Sequence, residues 1–204
     1  MKEDLSWYLP VHRRKRRPRK GRAPRKPKIN PELGIDKRPE IIRERVQFDH
    51  WESDLMLFRQ KFGKSNITSL VERVSRFTVL LLNGNRTTTL VMGQLVKVMR
   101  TLPHNARRSV TFDRGSEFMD WPYLQAEVGT QTWACKPSAP WQNGTVENTN
   151  RRARRWLPRE LDPTTITNHH LEMICARLNR TPRKCLGWKT LAEVFKERVL
   201  DKAA

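Results

Sequence analysis

At 204 residues the chain is long enough for one domain with a core plus an appendage. A formal charge of +20 with 37% hydrophobic content argues against burying the whole chain and for a polyanionic partner. No apolar run reaches the roughly 18 residues that a membrane-spanning helix needs.

The start lacks the charged, apolar, small-residue order of a secretory signal, so none is expected. Cys135, Cys175 and Cys185 are odd in number and form no C-x-x-C pair. That usage points to a reducing compartment and away from a zinc knuckle.

Taken in chain order, residues 12–28 come first, with eleven Lys or Arg, no acid, three prolines and one glycine. Such a segment repels itself and has too little apolar surface to offset its ordering entropy. Residues 1–38 are expected to be a disordered basic arm. Its densest run is Arg13, Arg14, Lys15, Arg16 and Arg17, which would release counterions on meeting nucleic-acid phosphates. A solvated charged tail is the plainer alternative.

Residues 50–58 alternate, with Trp51, Ser53, Leu55 and Leu57 on one face and Glu52, Asp54 and Met56 on the other. This is the period of a strand. Residues 66–73 and 76–82 are rich in β-branched and apolar side chains, and the second run ends at the turn signal Asn83-Gly84-Asn85. The spacing of Val91, Leu95, Val98 and Leu102 predicts a helix over 87–102. A short strand over 109–113, a helix over 121–128 and a strand over 130–135 follow.

Residues 143–157 read as a helix with Val146, Ala153, Trp156 and Leu157 on its apolar side. Glu147, Arg151 and Arg154 share the polar side, and Pro158 stops the helix. A last helix spans 168–179 on a stripe of Leu171, Ile174, Cys175 and Leu178, where Cys175 reads as a small core residue. Three hairpin-type strands followed by strand–helix alternation predict an α/β fold, a mixed five-stranded sheet flanked by helices. The expected organisation is the arm over 1–38, a core over 39–160, and a helical extension of the same domain over 161–204.

Three acids sit where such a fold could join them. Asp54 lies on the first strand, Asp113 ends the fourth, and Glu147 opens the helix after the fifth, with 33 residues between the last two. Three clustered carboxylates repel unless a cation holds them, and hard oxygen donors suit Mg²⁺. Gly115, just past the strand end, would let a backbone or ligand approach. Taken singly, each acid has a structural alternative: an edge-strand charge, a turn cap, a partner for Arg151. Glu52 and Glu117 compete for the same places.

The blocks DHWESDLMLF, TFDRGSEF and PWQNGTVENTNRRARRWLP resemble the motif blocks of bacterial insertion-sequence transposases of the family numbered thirty. That family belongs to the DDE transposase and retroviral integrase superfamily. The resemblance runs from about residue 38 to the C-terminus, and LNRTPRKCLGW resembles the family's closing motif. It implies a ribonuclease-H-like fold with Asp54, Asp113 and Glu147 as the catalytic and metal-holding triad. It further implies two Mg²⁺ or Mn²⁺ ions, cleavage at element ends, and transfer of a 3′-hydroxyl into target DNA. Arg151, Arg154 and Arg155 would hold phosphates, and Trp141, Gln142 and Asn143 would lie near the reacting strand. For Trp141 core packing remains an equal alternative.

The implied partners are DNA, both element ends and target, and further copies of the chain assembled on it. The implied location is the bacterial cytoplasm, at the nucleoid. Asp49 stands where the family has glycine, Lys136 where it has an acid, and Leu191 where it has proline. Lys136 is expected to bring a positive charge close to the site. The family's N-terminal helix-turn-helix reader is not matched, so a truncated transposase is expected. A nuclease of the same fold and a non-catalytic DNA-binding remnant are the alternatives.

Overall fold

The structure, a computed structural model, describes residues 30–201. The run Arg13 to Arg17 therefore lies outside the described residues.

Five strands form one mixed sheet in the order β3-β2-β1-β4-β5. They are β1 (His50–Leu57), β2 (Asn66–Glu72), β3 (Thr78–Asn83), β4 (Ser109–Phe112) and β5 (Gln131–Ala134). The first three make the expected antiparallel meander, and β4 and β5 join β1 in parallel. Parallel pairing needs helical crossovers, and α2 (Thr88–Thr101) and α3 (Trp121–Val128) supply them.

Both faces of the sheet are covered. Trp51, Leu70, Val110 and Phe112 pack under α2 and α3 through Leu95, Met99 and Leu124. Trp51 is fully buried, and its Nε1–H donates to the Ala106 carbonyl at 2.7 Å, which meets the polar need of its ring. On the opposite face Met56, Ile67 and Leu80 pack against Ala153, Leu157 and the stripe Leu171, Ile174 and Leu178. Those residues come from α4 (Gly144–Ala153), the turn after it, and α5 (Asn168–Asn179). Cys175 packs at the edge of this cluster, and burial pushes its thiol up to about 11, in keeping with a core role. No helix among the described residues is long and apolar enough to cross a membrane.

The structure departs from expectation at four places. Residues 30–38, assigned to the arm, pack against the sheet edge instead: Leu33 is buried and Gly34 bridges Ala134 of β5. The cause is local, a Pro-Glu-Leu-Gly-Ile stretch with enough apolar surface to dock after the basic run ends. A short helix, α1 (Glu40–Arg43), follows it unpredicted. The third strand starts at Thr78 rather than residue 76, because Arg76 takes a left-handed backbone with φ 64 in the turn.

Last, α6 (Leu191–Asp201) was not foreseen. Its signal was in the sequence: Thr190 and Glu193 form a capping box. The Thr190 backbone N–H donates to Glu193 Oε2 at 2.8 Å, and the Glu193 N–H donates to Thr190 Oγ1 at 3.2 Å. Phe195 then stacks on Phe77 with ring centres 4.3 Å apart, so a single aromatic anchors a helix with a thin apolar stripe.

Candidate active site

Register places the first two acids. β1 pairs with β4 in parallel, His50 beside Ser109 through Ser53 beside Phe112. The next residues along each chain, Asp54 and Asp113, therefore emerge side by side at the same edge.

The third acid is placed by α4, and three consecutive β1 residues hold that helix. Glu52 Oε2 accepts the backbone N–H groups of Thr145 at 2.7 Å and Val146 at 3.0 Å, capping the helix. The Ser53 carbonyl accepts from Asn143 Nδ2 at 3.0 Å, and Asp54 Oδ2 accepts from Asn150 Nδ2 at 2.8 Å. Glu147 lies between these anchors. Asp54, Asp113 and Glu147 line one cleft of about 360 Å³, with Gly115, Lys136 and Asn143.

The electrostatics follow from that placement. Burial pushes Asp54 up to about 6, and the Asp113 and Glu147 carboxylates push the same way against an N–H bond from Leu55 and the Asn150 amide. Asp113 is also held above its ordinary value, by burial first and then by Glu117, against the Gly115 N–H and Arg86. Asp54 is thus the acid that feels both of the others. Among the described residues no three His, Cys, Asp or Glu side chains close on a single metal-sized point. The three acids share a cleft without forming one three-ligand cage. They are the residues that could hold hard divalent cations, since their hard oxygens suit such ions.

The two competing acids have other work. Glu52 is fully buried, and its second oxygen accepts from Arg73 Nε at 2.9 Å. Glu117 is buried and takes Arg86 Nη2 on both oxygens, at 2.8 and 3.0 Å. Gly115 makes room for that carboxyl group, since a Cβ there would stand 2.6 Å from Glu117 Cδ. The close approach expected at this glycine is therefore made by Glu117.

The other singled-out residues divide. Trp141 is 73% exposed, so core packing is not its role. Gln142 Oε1 accepts the Lys136 backbone N–H at 2.7 Å and shapes the cleft wall. Arg151 and Arg155 are exposed on α4 and the turn after it. Arg154 is committed within the fold: its guanidinium donates to the Leu157 and Leu57 carbonyls at 3.1 and 2.8 Å and lies over the Phe58 ring. Lys136 does line the cleft, but its ammonium pairs with Asp36 at 2.9 Å. Sequence reasoning missed Asn150 and Arg73, and it named Glu52 only as a rival to Asp54. Asn150 alone carried a signal, sitting one helical turn from Glu147 on the same face.

No family model matches the chain. A transposase of insertion sequence element IS30C from Escherichia coli K12 is 34% identical over 165 residues, 81% of this chain and 42% of that protein. A transposase of insertion sequence element IS1086 from Cupriavidus metallidurans is 32% identical over 195 residues, 96% of this chain and 57% of that protein. The chain thus spans about half the length of these curated relatives.

Among solved structures, the catalytic core domain of BIV integrase aligns with a TM-score of 0.60 at 19% identity, covering 76% of this chain and 99% of that one. A simian T-cell lymphotropic virus intasome aligns with a TM-score of 0.59 at 15% identity, covering 74% of this chain and 55% of that one. These likenesses show the ribonuclease-H-like fold of the integrase catalytic core. Over most of its length the chain is similar in sequence to insertion-sequence transposases of the IS30 family, and its fold is that of the integrase catalytic core.

Proposed function

We propose that this chain carries the catalytic core of a DNA transposase, which cuts at the ends of an insertion sequence and transfers the freed 3′-hydroxyl to target DNA. The observation that carries the reading is the juxtaposition of Asp54 and Asp113 on paired parallel strands, with α4 tied to Asp54 through Asn150. Asp54, Asp113 and Glu147 would together hold two Mg²⁺ or Mn²⁺ ions. Such ions, when bound, supply Lewis-acid charge at a scissile phosphate and lower the pKa of an attacking water or hydroxyl.

The remaining work falls to the chain's own groups. Asp54, raised to about 6, is a carboxylate whose charge the fold disfavours and a cation would stabilise. The Glu52 cap and the Asn143 bond to Ser53 fix α4, so Glu147 is presented from a rigid element. The Asp36 partner of Lys136 partly neutralises the one lysine at the rim. Exposed Arg151, Arg155 and Trp141 are free to meet backbone phosphates and bases, while Arg154 acts by holding the end of β1. Residues 39–160 form the core in this reading, with 161–204 an extension of the same domain and the basic arm an added polyanion contact. Several copies would assemble on DNA, inside a bacterial cell.

The test is strand joining on a duplex that mimics an element end, with and without Mg²⁺. Metal-dependent joining that is lost in Asp54→Asn and Asp113→Asn supports the reading. Cleavage with no joining would make the chain a nuclease of this fold. Binding without either would leave a DNA-binding remnant.

A further inference from the structure

A second pocket, of about 160 Å³, lies on the other side of α4. The helix contributes Thr145, Asn148, Thr149 and Arg152, spaced i, i+3, i+4 and i+7, so they share one face. Glu147 and Asn150 project from the opposite face by the same periodicity. Three more arginines complete the wall: Arg45 after α1, Arg76 from the β2–β3 turn, and Arg183 from the loop after α5. That loop belongs to the closing motif of the sequence, which the cleft chemistry leaves without a role. Asn179, in the same motif, anchors it by bonding both the N–H and the carbonyl of Thr78, at 2.9 and 2.8 Å.

Four arginines line a space with no acid in its lining. Among the described residues none of the four takes part in an ion pair. Two carboxylates outside the pocket, Glu52 and Glu72, act on Arg76, and each also serves other donors. Glu52 serves Arg73 and the α4 N–H groups, and Glu72 accepts from Ser75 N and Oγ at 2.6 Å each and from Val74 N at 3.0 Å.

Arg76 is aimed by a bond to Thr145 Oγ1 at 2.9 Å. Both Arg45 and Arg76 hold left-handed backbones, φ 60 and φ 64, a conformation that costs a side-chain-bearing residue and gathers at working sites. Arg76 is held below its ordinary value by burial and then by the charge of Arg45, against Cys185, Glu52 and Glu72, so at least these two cations repel each other. An anion would relieve that repulsion, and the planar guanidinium fork matches phosphate oxygens.

We propose that this pocket is a phosphate-binding site, taking one phosphate group between Arg45, Arg76, Arg152 and Arg183. Its occupant is a backbone phosphate of DNA, a choice that rests on the DNA-acting reading above; free phosphate has the same chemistry. Because the pocket and the cleft occupy opposite faces of α4, the phosphate held here belongs to a tract of DNA other than the reacting phosphodiester.

The test uses the full chain in EDTA, so no chemistry intervenes. Two quantities are measured: the salt dependence of binding to a short duplex, and the thermal midpoint in inorganic phosphate against chloride at equal ionic strength. Arg152→Gln and Arg183→Gln are made singly, with Arg198→Gln, exposed on α6, as the charge control. Inorganic phosphate should raise the midpoint of the unaltered chain, and each pocket variant should lose most of that rise. The slope of log K against log salt should become shallower by about 0.9 for each contact removed, and stay unchanged in the control. Arg183→Lys should keep the slope and lose part of the phosphate effect, which separates lost charge from damaged folding.

Loss of the phosphate effect with an unchanged duplex slope would overturn the DNA assignment in favour of free phosphate. No protection by phosphate, together with unaltered slopes in both variants, would overturn the site. Neither readout needs catalysis, so failure of the strand-joining reading would move neither.

Discussion

Asn150 gives its side-chain N–H to Asp54 Oδ2 at 2.8 Å, and this bond ties the helix that carries Glu147 to the strand that carries Asp54. A carboxylate that accepts such a bond is oriented as well as stabilised in its charged form. In the proposed reading Asn150 would touch no reacting atom and would act as a positioning residue. Asn150→Ala should lower Mg²⁺-dependent joining by about 10- to 100-fold, the range for loss of a group that orients a ligand. It should cost only about 1 kcal/mol of stability. The urea midpoint and the joining rate, measured on one preparation, check both halves. Joining at the unaltered rate would show that the tether does not set the geometry of the acids.

Asp54 makes a prediction about pH. Its folded value of about 6 stands above the 3.8 of an unperturbed aspartate, so between these values the folded chain binds more protons than the unfolded one. A carboxylate raised in this way makes a contribution present at low pH and lost as pH rises through about 6, the reverse of an ion-paired acid. The rise corresponds to at most about 3 kcal/mol, and solvent access in the cleft reduces this to about 1 kcal/mol. In metal-free buffer Asp54→Asn should flatten that segment of the pH–stability curve. Added Mg²⁺ should stabilise the unaltered chain more at pH 7 than at pH 5, because the ion binds the charged form. A thermal melt series with and without metal reads both effects. A curve in Asp54→Asn that still falls between these pH values would assign the slope to another group.

Glu52 is predicted to be a matter of stability. Glu52→Gln would leave Arg73 buried with its charge uncompensated and would weaken the cap on α4. Removing one member of a buried pair costs about 3–5 kcal/mol. The urea midpoint should fall with the denaturant slope unchanged, while the surviving folded fraction keeps its Mg²⁺ stabilisation. Loss of the Mg²⁺ effect with intact stability would instead make Glu52 a ligand.

How much of this was legible in the sequence depends on the kind of signal. Strand alternation around Asp54 and the apolar spacing of α2, α4 and α5 are local, and those elements stand within a few residues of expectation. The β1–β4 register that brings Asp54 beside Asp113 is not local; the element order allowed it, and the resemblance of the motif blocks singled it out. Glu52 and Asp54 sit two residues apart on one face of a strand, so alternation could not rank them. What separates them is Arg73 and the end of α4, both remote in sequence. The docking of residues 30–38 was hidden by the neighbouring charge run, although Leu33 and Ile35 break it. Arg154 looked like a twin of Arg151 and Arg155, and only the path of β1 shows that two carbonyls hold it.

Glu147 is the sharpest test of the whole assignment. One reading makes it the i,i+4 surface partner of Arg151. Among the described residues no such ion pair forms, so that reading has lost its structural basis. Even if formed in solution, an exposed pair contributes only about 0.3–0.5 kcal/mol, and Glu147→Gln would then change little of anything. The ligand reading agrees on stability and parts from it on chemistry. Glutamine is nearly isosteric, but it is neutral and a poorer donor to a hard dication. Removing that charge beside Asp54 should also bring the Asp54 value down in metal-free buffer, since Glu147 helps to raise it. The expected set is therefore unchanged metal-free folding, a smaller Mg²⁺ stabilisation, and joining reduced by more than about 100-fold, beyond the cost of an orienting partner. Duplex binding in EDTA should hold or tighten, because a negative charge near the phosphates is gone. Joining at the unaltered rate would return Glu147 to the surface. Weaker duplex binding without metal would mean that it orders the DNA contacts of α4 rather than holding a cation.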